Sequence, residues 1–282
     1  MESSKTNSWN VRPYQQEILK VFREFERICI SYGLRYFAIG GTALGAIRHK
    51  GFIPWDDDFD VAMPREDYIK FTEVVAKELN PESLQFCRGG GSAPVYFSKI
   101  LNVKKGLVEE MRTLTNLDLT IPPFIDIFIL DGVPDKVQDI LVWTLGRRLL
   151  RLVQVFRFPE KGPESTSKRL LSRVLGSIAS PFFQKTKTND EMMSLMDDFA
   201  MKWSYGESKM VAEFFFCRLM FPRIFSKFDF EPARSIPFED GCINVPARVE
   251  EYLTRFFGDY MTPPPIEYQV PEHIFKRAYN HV

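Results

Sequence analysis

The stretch from Gly40 to Asp67 reads GGTALGAIRHKGFIPWDDDFDVAMPRED and holds four aspartates within five positions: Asp56, Asp57, Asp58 and Asp60. Carboxylates this close repel one another and raise one another's pKa. A folded chain tolerates them on a solvated loop, or where a cation neutralises them. If residues 58–62 are a strand, Asp58 and Asp60 project to one face, roughly 6.5 Å apart at Cα, while Phe59 and Val61 enter the core. Two hard oxygen ligands on one face suit Mg2+, with Mn2+ as the alternative, because such an ion takes one or two carboxylates together with substrate phosphates. The plainer reading is an acidic turn in which Asp56 or Asp57 bonds nearby backbone. The D-x-D pattern alone does not choose between them.

Its surroundings add weight to the metal reading. Gly40-Gly41 breaks a short strand and opens a helix, a place where backbone N–H groups and the positive dipole end suit a phosphate. Thr42, placed as the N-cap, adds a hydroxyl. Arg48 on the same helix could neutralise phosphate charge or lie at the surface. Lys99, in the middle of the β-prone YFSKIL, needs an anion if it points inward, and a phosphate would serve. Asp126 in FIDIFIL shares a face with Phe124, Phe128 and Leu130, and a charge in that company needs a partner. It is the third carboxylate, as a metal ligand or as the base for an acceptor hydroxyl. Asp131 reads as a turn residue before Gly132-Val133-Pro134. Pro54 and Trp55 rigidify the acidic loop, and His49 reads as a surface residue. Asp259 and Tyr260 line the site or make a turn. No Ser-His-Asp or Cys-His pattern and no zinc spacing is present.

These groups must be positioned by the elements around them. Residues 14–32 carry Ile18, Val21, Phe22, Phe25, Ile28, Cys29 and Tyr32 at helical spacing, and Gly33 ends that helix. RYFAI (35–39) and FDVAM (59–63) read as strands, and Pro64 opens a helix to about Leu79. SLQFC, VYFSKIL and FIDIFIL read as further strands. From 136 to 187 the pattern turns helical and basic, with eleven Lys and Arg against three acids. Arg147, Arg148, Arg151 and Arg157 lie there among Leu149, Leu150, Leu152, Val153 and Phe156, which suggests an interfacial helix at an anionic membrane surface, with a solvated face as the alternative. Strands followed by helices predict an α+β fold. Residues 1–135 form the core, 136–205 a helical basic insertion, and 206–282 complete the site.

Composition is that of a soluble globular chain: 45% hydrophobic, 26% charged, 26 phenylalanines and no net charge over 282 residues, so nothing points to nucleic acid. Cys29, Cys87, Cys217 and Cys242 form no C-x-x-C pair and read as reduced core thiols of a cytoplasmic protein. The first residues have no signal-peptide pattern, and arginines interrupt the longest apolar stretch.

The segment from Gly40 to Tyr68 resembles the signature of the LicD family, which includes fukutin-like proteins. FIDIFILDG resembles that family's next acidic strand, and INVPARVEEYLTRFFGDYMTPPP with His273 resembles its C-terminal motif. Ala43 and Ile129 depart from the common pattern at positions that carry no ligand. Residues 103–123 follow it only loosely and are a place where the transferred group could be chosen. The resemblance implies a nucleotidyltransferase-like mixed sheet with flanking helices. It also implies metal-dependent transfer of a substituted phosphate, most readily phosphocholine, from a CDP-linked donor to a hydroxyl of a glycan or lipid-linked glycan. Such a precursor would belong to lipopolysaccharide, teichoic acid or capsule, and the enzyme would work at the inner face of the cell membrane. CDP-ribitol or CDP-glycerol as donor, nucleotidyl transfer from an NTP, and a catalytically silent glycan-binding protein are the alternatives.

Overall fold

The computed structural model describes residues 10–89, 95–115, 119, 121–157, 188–213 and 224–271. Helix α1 (Arg12–Tyr32) buries Ile18, Val21, Phe22, Phe25, Ile28 and Cys29 along one face. Gly33 ends it with φ +63°, its N–H reaching the Cys29 and Ile30 carbonyls, the left-handed cap that a residue without Cβ adopts at least cost. Strand β1 (Phe37–Ala38) leads into helix α2 (Gly40–His49), then β2 (Asp60–Pro64) and α3 (Arg65–Glu78). Glu66 and Asp67 lie in the first turn of α3, where carboxylates complement the helix dipole. Strands β3 (Leu84–Cys87) and β4 (Ser98–Asn102), helix α4 (Leu107–Thr115) and the long strand β5 (Phe124–Val133) follow.

Strand β5 is the centre of a seven-stranded mixed sheet ordered β1-β2-β5-β4-β3, with β6 (Met210–Glu213) also on β5 and β7 (Phe225–Ser226) on β6. β2 runs parallel to β5, whereas β4 and β6 run antiparallel to it. All ten residues of β5 are buried, as expected for a strand covered on both faces. The core is strongly aromatic. Phe22, Phe25, Tyr36, Phe59 and Phe71 make tilted and edge-to-face contacts at centroid distances of 4.6–6.4 Å, the arrangement that ring quadrupoles favour.

Two helices flank the segment 158–187: α5 (Val137–Arg157) and α6 (Asn189–Ala200), the latter opened by a Thr188–Glu191 capping box. The short α7 (Lys227–Phe230), the hairpin β8 (Arg234–Phe238) and β9 (Gly241–Val245), helix α8 (Val249–Phe257) and a 3-10 turn (Ile266–Tyr268) follow. Among the described residues no helix is long and apolar enough to cross a membrane.

Several expectations change. Helix α2 opens at Gly40 with Ile39 as N-cap, so Thr42 is inside the helix and does not cap it. Asp131 is no turn residue. β5 continues through it, and it is 1% exposed in a two-pronged ion pair with Arg65 at 2.7 and 2.8 Å. Among the cysteines, Cys29 is a core thiol, but Cys87 is half-buried and Cys242 exposed; all three are free, and Cys217 lies outside the described residues. On α5, Arg147 is buried with its guanidinium 5.5 Å from the Trp143 ring, and Leu150 and Val153 are buried too. The exposed apolar face is instead Leu141, Val142, Leu145 and Leu149. The side chains of Leu152, Phe156 and Arg157, and all of His273, lie outside the described residues.

Candidate active site

The sheet register lines up the charged residues. Asp60 of β2 stands directly beside Asp126 of β5, and Asp126 directly beside Lys99 of β4. Neighbouring strands are about 4.8 Å apart, and directly opposed side chains share a face, so the three make one row across the sheet. Lys99 forms an ion pair with Asp126. Its ammonium also lies 3.8 Å from the Phe124 ring centroid and 4.9 Å from that of Phe97, a cation–π seat. The anion that Lys99 meets is therefore Asp126.

The acidic loop brings the other carboxylates to this row. Strand pairing reaches one residue before β2, with the Asp126 N–H donating to the Phe59 carbonyl at 2.8 Å. Burial pushes the Asp60 carboxyl well above its ordinary pKa; the charges of Asp58, Asp126 and Glu213 push the same way, and Lys99 opposes them. Burial likewise raises Asp56, as do the charge of Asp58 and a hydrogen bond between these two carboxyls. Asp58 and Asp126 therefore both reach Asp60 electrostatically. As whole residues, Asp56 and Asp60 are half-buried. Among the described residues, no three His, Cys, Asp or Glu side chains form a ready-made metal cage. The donor set is nevertheless all hard oxygen, and Asp56 and Asp58 are crowded enough to share a hydrogen bond, which one divalent cation would relieve.

Gly40 and Gly41 have a different immediate task from the one expected. A Cβ on Gly40 would come within 3.1 Å of Asp60 Oδ2, and one on Gly41 within 2.9 Å of Asp56 Oδ2. The two glycines are what allow the carboxylates to lie against the start of α2. The Gly40 N–H is already used, donating to the Tyr252 hydroxyl at 3.0 Å. Thr42 Oγ1 accepts from the Asp60 N–H at 2.8 Å, tying α2 to the first residue of β2. Arg48, half-buried, donates to the Tyr260 carbonyl at 2.8 Å, and the charge of Asp56 reaches it. His49 is exposed, edge-on to the half-buried Trp55 with ring centroids 6.3 Å apart.

Three residues were not singled out by sequence. Gln15, 2% exposed, donates to the Ile53 and Asp56 carbonyls at 3.0 and 2.9 Å and so holds the acidic loop on α1. A polar residue within the Val11–Ile18–Phe22 stripe was the available signal. Tyr252 looked like one more core aromatic of α8. Glu213 interrupts the apolar run MVAEFFF; β6 places it across from Leu130, and its charge reaches Asp60.

A mixed sheet with carboxylates on its central strands, beside a Gly-Gly helix start, defines a nucleotidyltransferase-like domain. Residues 33–90 match the family model described as LicD/FKTN/FKRP, nucleotidyltransferase domain. The chain is 28% identical over 282 residues to the lipopolysaccharide cholinephosphotransferase LicD of Haemophilus influenzae, covering 94% of this chain and 96% of that protein. An uncharacterized protein of Rickettsia typhi is 33% identical over 58 residues, 21% of this chain and 19% of its own. A second, from Rickettsia prowazekii, is 31% identical over 58 residues, 21% of this chain and 22% of its own.

Proposed function

We propose that this LicD-family protein transfers a substituted phosphate, most readily phosphocholine, from a CDP-linked donor to a hydroxyl of a cell-surface glycan precursor. The observation that carries the proposal is the end-to-end similarity to a lipopolysaccharide cholinephosphotransferase. The aligned Asp60, Asp126 and Lys99 support it. Asp58, Asp60 and Asp126 would hold Mg2+ or Mn2+, which would neutralise the donor pyrophosphate. The N-terminal end of α2, at Gly40, Gly41 and Thr42, would turn its dipole to the donor phosphate. Arg48 would add positive charge for the donor, as would Lys99 where it turns from Asp126. The acceptor oxygen attacks the substituted β-phosphorus, the bond to the bridging oxygen breaks, and CMP leaves with that oxygen. The acceptor's proton passes to Asp126 when that carboxylate is not a ligand. Positioning and charge neutralisation supply most of such catalysis.

The experiment is a donor panel of CDP-choline, CDP-ribitol, CDP-glycerol and CTP with a glycan acceptor. We expect CMP and a phosphocholine-bearing glycan from the first, lost in Asp58→Asn and Asp60→Asn proteins that remain folded. Ribitol or glycerol phosphate transfer would reassign the head group, and pyrophosphate release from CTP would reassign the reaction. No transfer from any donor would leave a glycan-binding role. The basic segment 136–187 is assigned to contact with an anionic membrane carrying the acceptor, through the exposed Leu141, Val142, Leu145 and Leu149 face. Equal, negligible binding to neutral and anionic vesicles at low salt would reject that assignment.

A further inference from the structure

We infer that Tyr252 is a positioning residue that locks the Gly40-Gly41 turn against the carboxylates, making the C-terminal helix α8 part of the donor site. Its hydroxyl accepts the buried Gly40 N–H at 3.0 Å. Gly40 has φ +54°, a left-handed conformation with no intrinsic hold on a flexible glycine, so an outside partner must fix it. The oxygen that fixes it comes from a ring that cannot drift. Tyr252 is 1% exposed and packs on Phe225, Phe230 and Phe256 at centroid distances of 5.2, 5.8 and 5.5 Å.

The consequence passes to the carboxylates through contacts with no slack. Asp60 Oδ2 lies against Gly40 and Asp56 Oδ2 against Gly41, each within what would be Cβ contact at 3.1 and 2.9 Å. Thr42, one residue further, holds the Asp60 N–H. Arg48, at the far end of α2, is held by the Tyr260 carbonyl three residues after α8 ends. The C-terminal segment therefore grips α2 at both ends, and the Tyr252 grip is the one next to the carboxylates.

This inference rests on the proposed metal-dependent transfer for its consequence, but not for the clamp itself, and the test separates the two. Tyr252→Phe keeps the ring and removes the hydroxyl that accepts from Gly40. Phe256→Leu disturbs the packing of α8 without touching Gly40. Both full-length variants are compared with the unaltered chain by amide hydrogen exchange at Gly40 and by Mn2+ titration followed by electron paramagnetic resonance. Tyr252→Phe is expected to speed Gly40 exchange at least about tenfold and to weaken Mn2+ binding about tenfold, the effect typical of residues supporting metal ligands. Phe256→Leu is expected to do neither. Unchanged exchange in Tyr252→Phe, or faster exchange with unchanged Mn2+ affinity, overturns the inference. So does a Phe256→Leu variant that reproduces both changes, because packing alone would then suffice. If the unaltered chain binds no Mn2+, the metal reading fails, and with it the claimed consequence, while Gly40 exchange still decides whether the clamp exists.

Discussion

Lys99 is the residue whose role the structure changes most. It was expected to meet a phosphate, and it meets Asp126. The two readings make opposite predictions for Lys99→Met. Removing a positive charge beside the carboxylates should strengthen Mg2+ binding, by roughly tenfold at the effective dielectric of a part-buried site. If Lys99 also turns to the donor, the same variant should bind the CDP-linked donor more weakly. Calorimetric titration with each ligand reads both signs, and weaker Mg2+ binding would show that the row does not behave as a shared charge cluster. At this scale the candidate site was well marked in the sequence where a residue's type clashed with its neighbours: Asp126 among phenylalanines, Asp58 and Asp60 two apart, Gly40-Gly41 after a strand. Gln15 and Tyr252 were obscure because their contacts lie 41 and 212 residues away, and only the fold brings those partners together.

At the scale of elements, α2 is limited by the space its glycines leave. Gly41→Ala should drive a methyl into Asp56 and lower turnover at least tenfold while the melting temperature moves by only a few degrees, since the side chain in the way can yield. Turnover within twofold of the unaltered protein would mean that Asp56 has room to spare. Helix α6 is fixed differently. Arg65, at the start of α3, joins Asp131 of β5 to Asp197 of α6, and Tyr96 donates to that same Asp197. Burial raises the Asp131 pKa, and Arg65 offsets this. Arg65→Met should cost about 3–5 kcal/mol, because it leaves Asp131 buried without its cation. Replacing both partners with apolar residues should restore much of that loss. Urea unfolding of the single and double variants checks this, and a single-variant cost under about 1 kcal/mol would show the pair to be dispensable. Most elements up to β5 were legible from periodicity, with ends displaced by as much as three residues in β4 and β5, whereas helix α4 was not foreseen. Asp131 was misread because Gly132 and Pro134 signal a turn locally, whereas pairing with β6 carries the strand on through Val133.

For the whole molecule, α1 and the β8–β9 hairpin are joined far apart in sequence. Glu239, at the hairpin tip, accepts from Arg12 and from the Phe52 N–H, and Arg23 pairs with Asp240. The Arg12 guanidinium holds the Glu239 carboxyl below its ordinary value near 4.5, and the Phe52 bond acts in the same direction. A carboxyl depressed on folding stabilises fully above its unfolded pKa and loses that contribution as pH falls through the lower folded one. Glu239→Gln should therefore cost about 1 kcal/mol at neutral pH, modest because Arg12 is half exposed. The gap from the unaltered protein should close as pH drops below about 4.5. Thermal melts from pH 7 to 3 test it, and a gap that widens in acid would contradict the assignment. Strand signals foretold an α+β fold, and the family resemblance, not those signals, implied the mixed sheet. Its order was not foreseeable, because the parallel β2–β5 pairing joins strands separated by α3, β3, β4 and α4. The clamp from Tyr252 to Gly40 also sets an order in time. A ribosome makes the Gly-Gly turn, the acidic loop and β5 long before it makes α8, so the emerging chain carries its carboxylates for most of synthesis with the turn unlatched. Competence should arrive late and abruptly, once α8 has cleared the exit tunnel and docked.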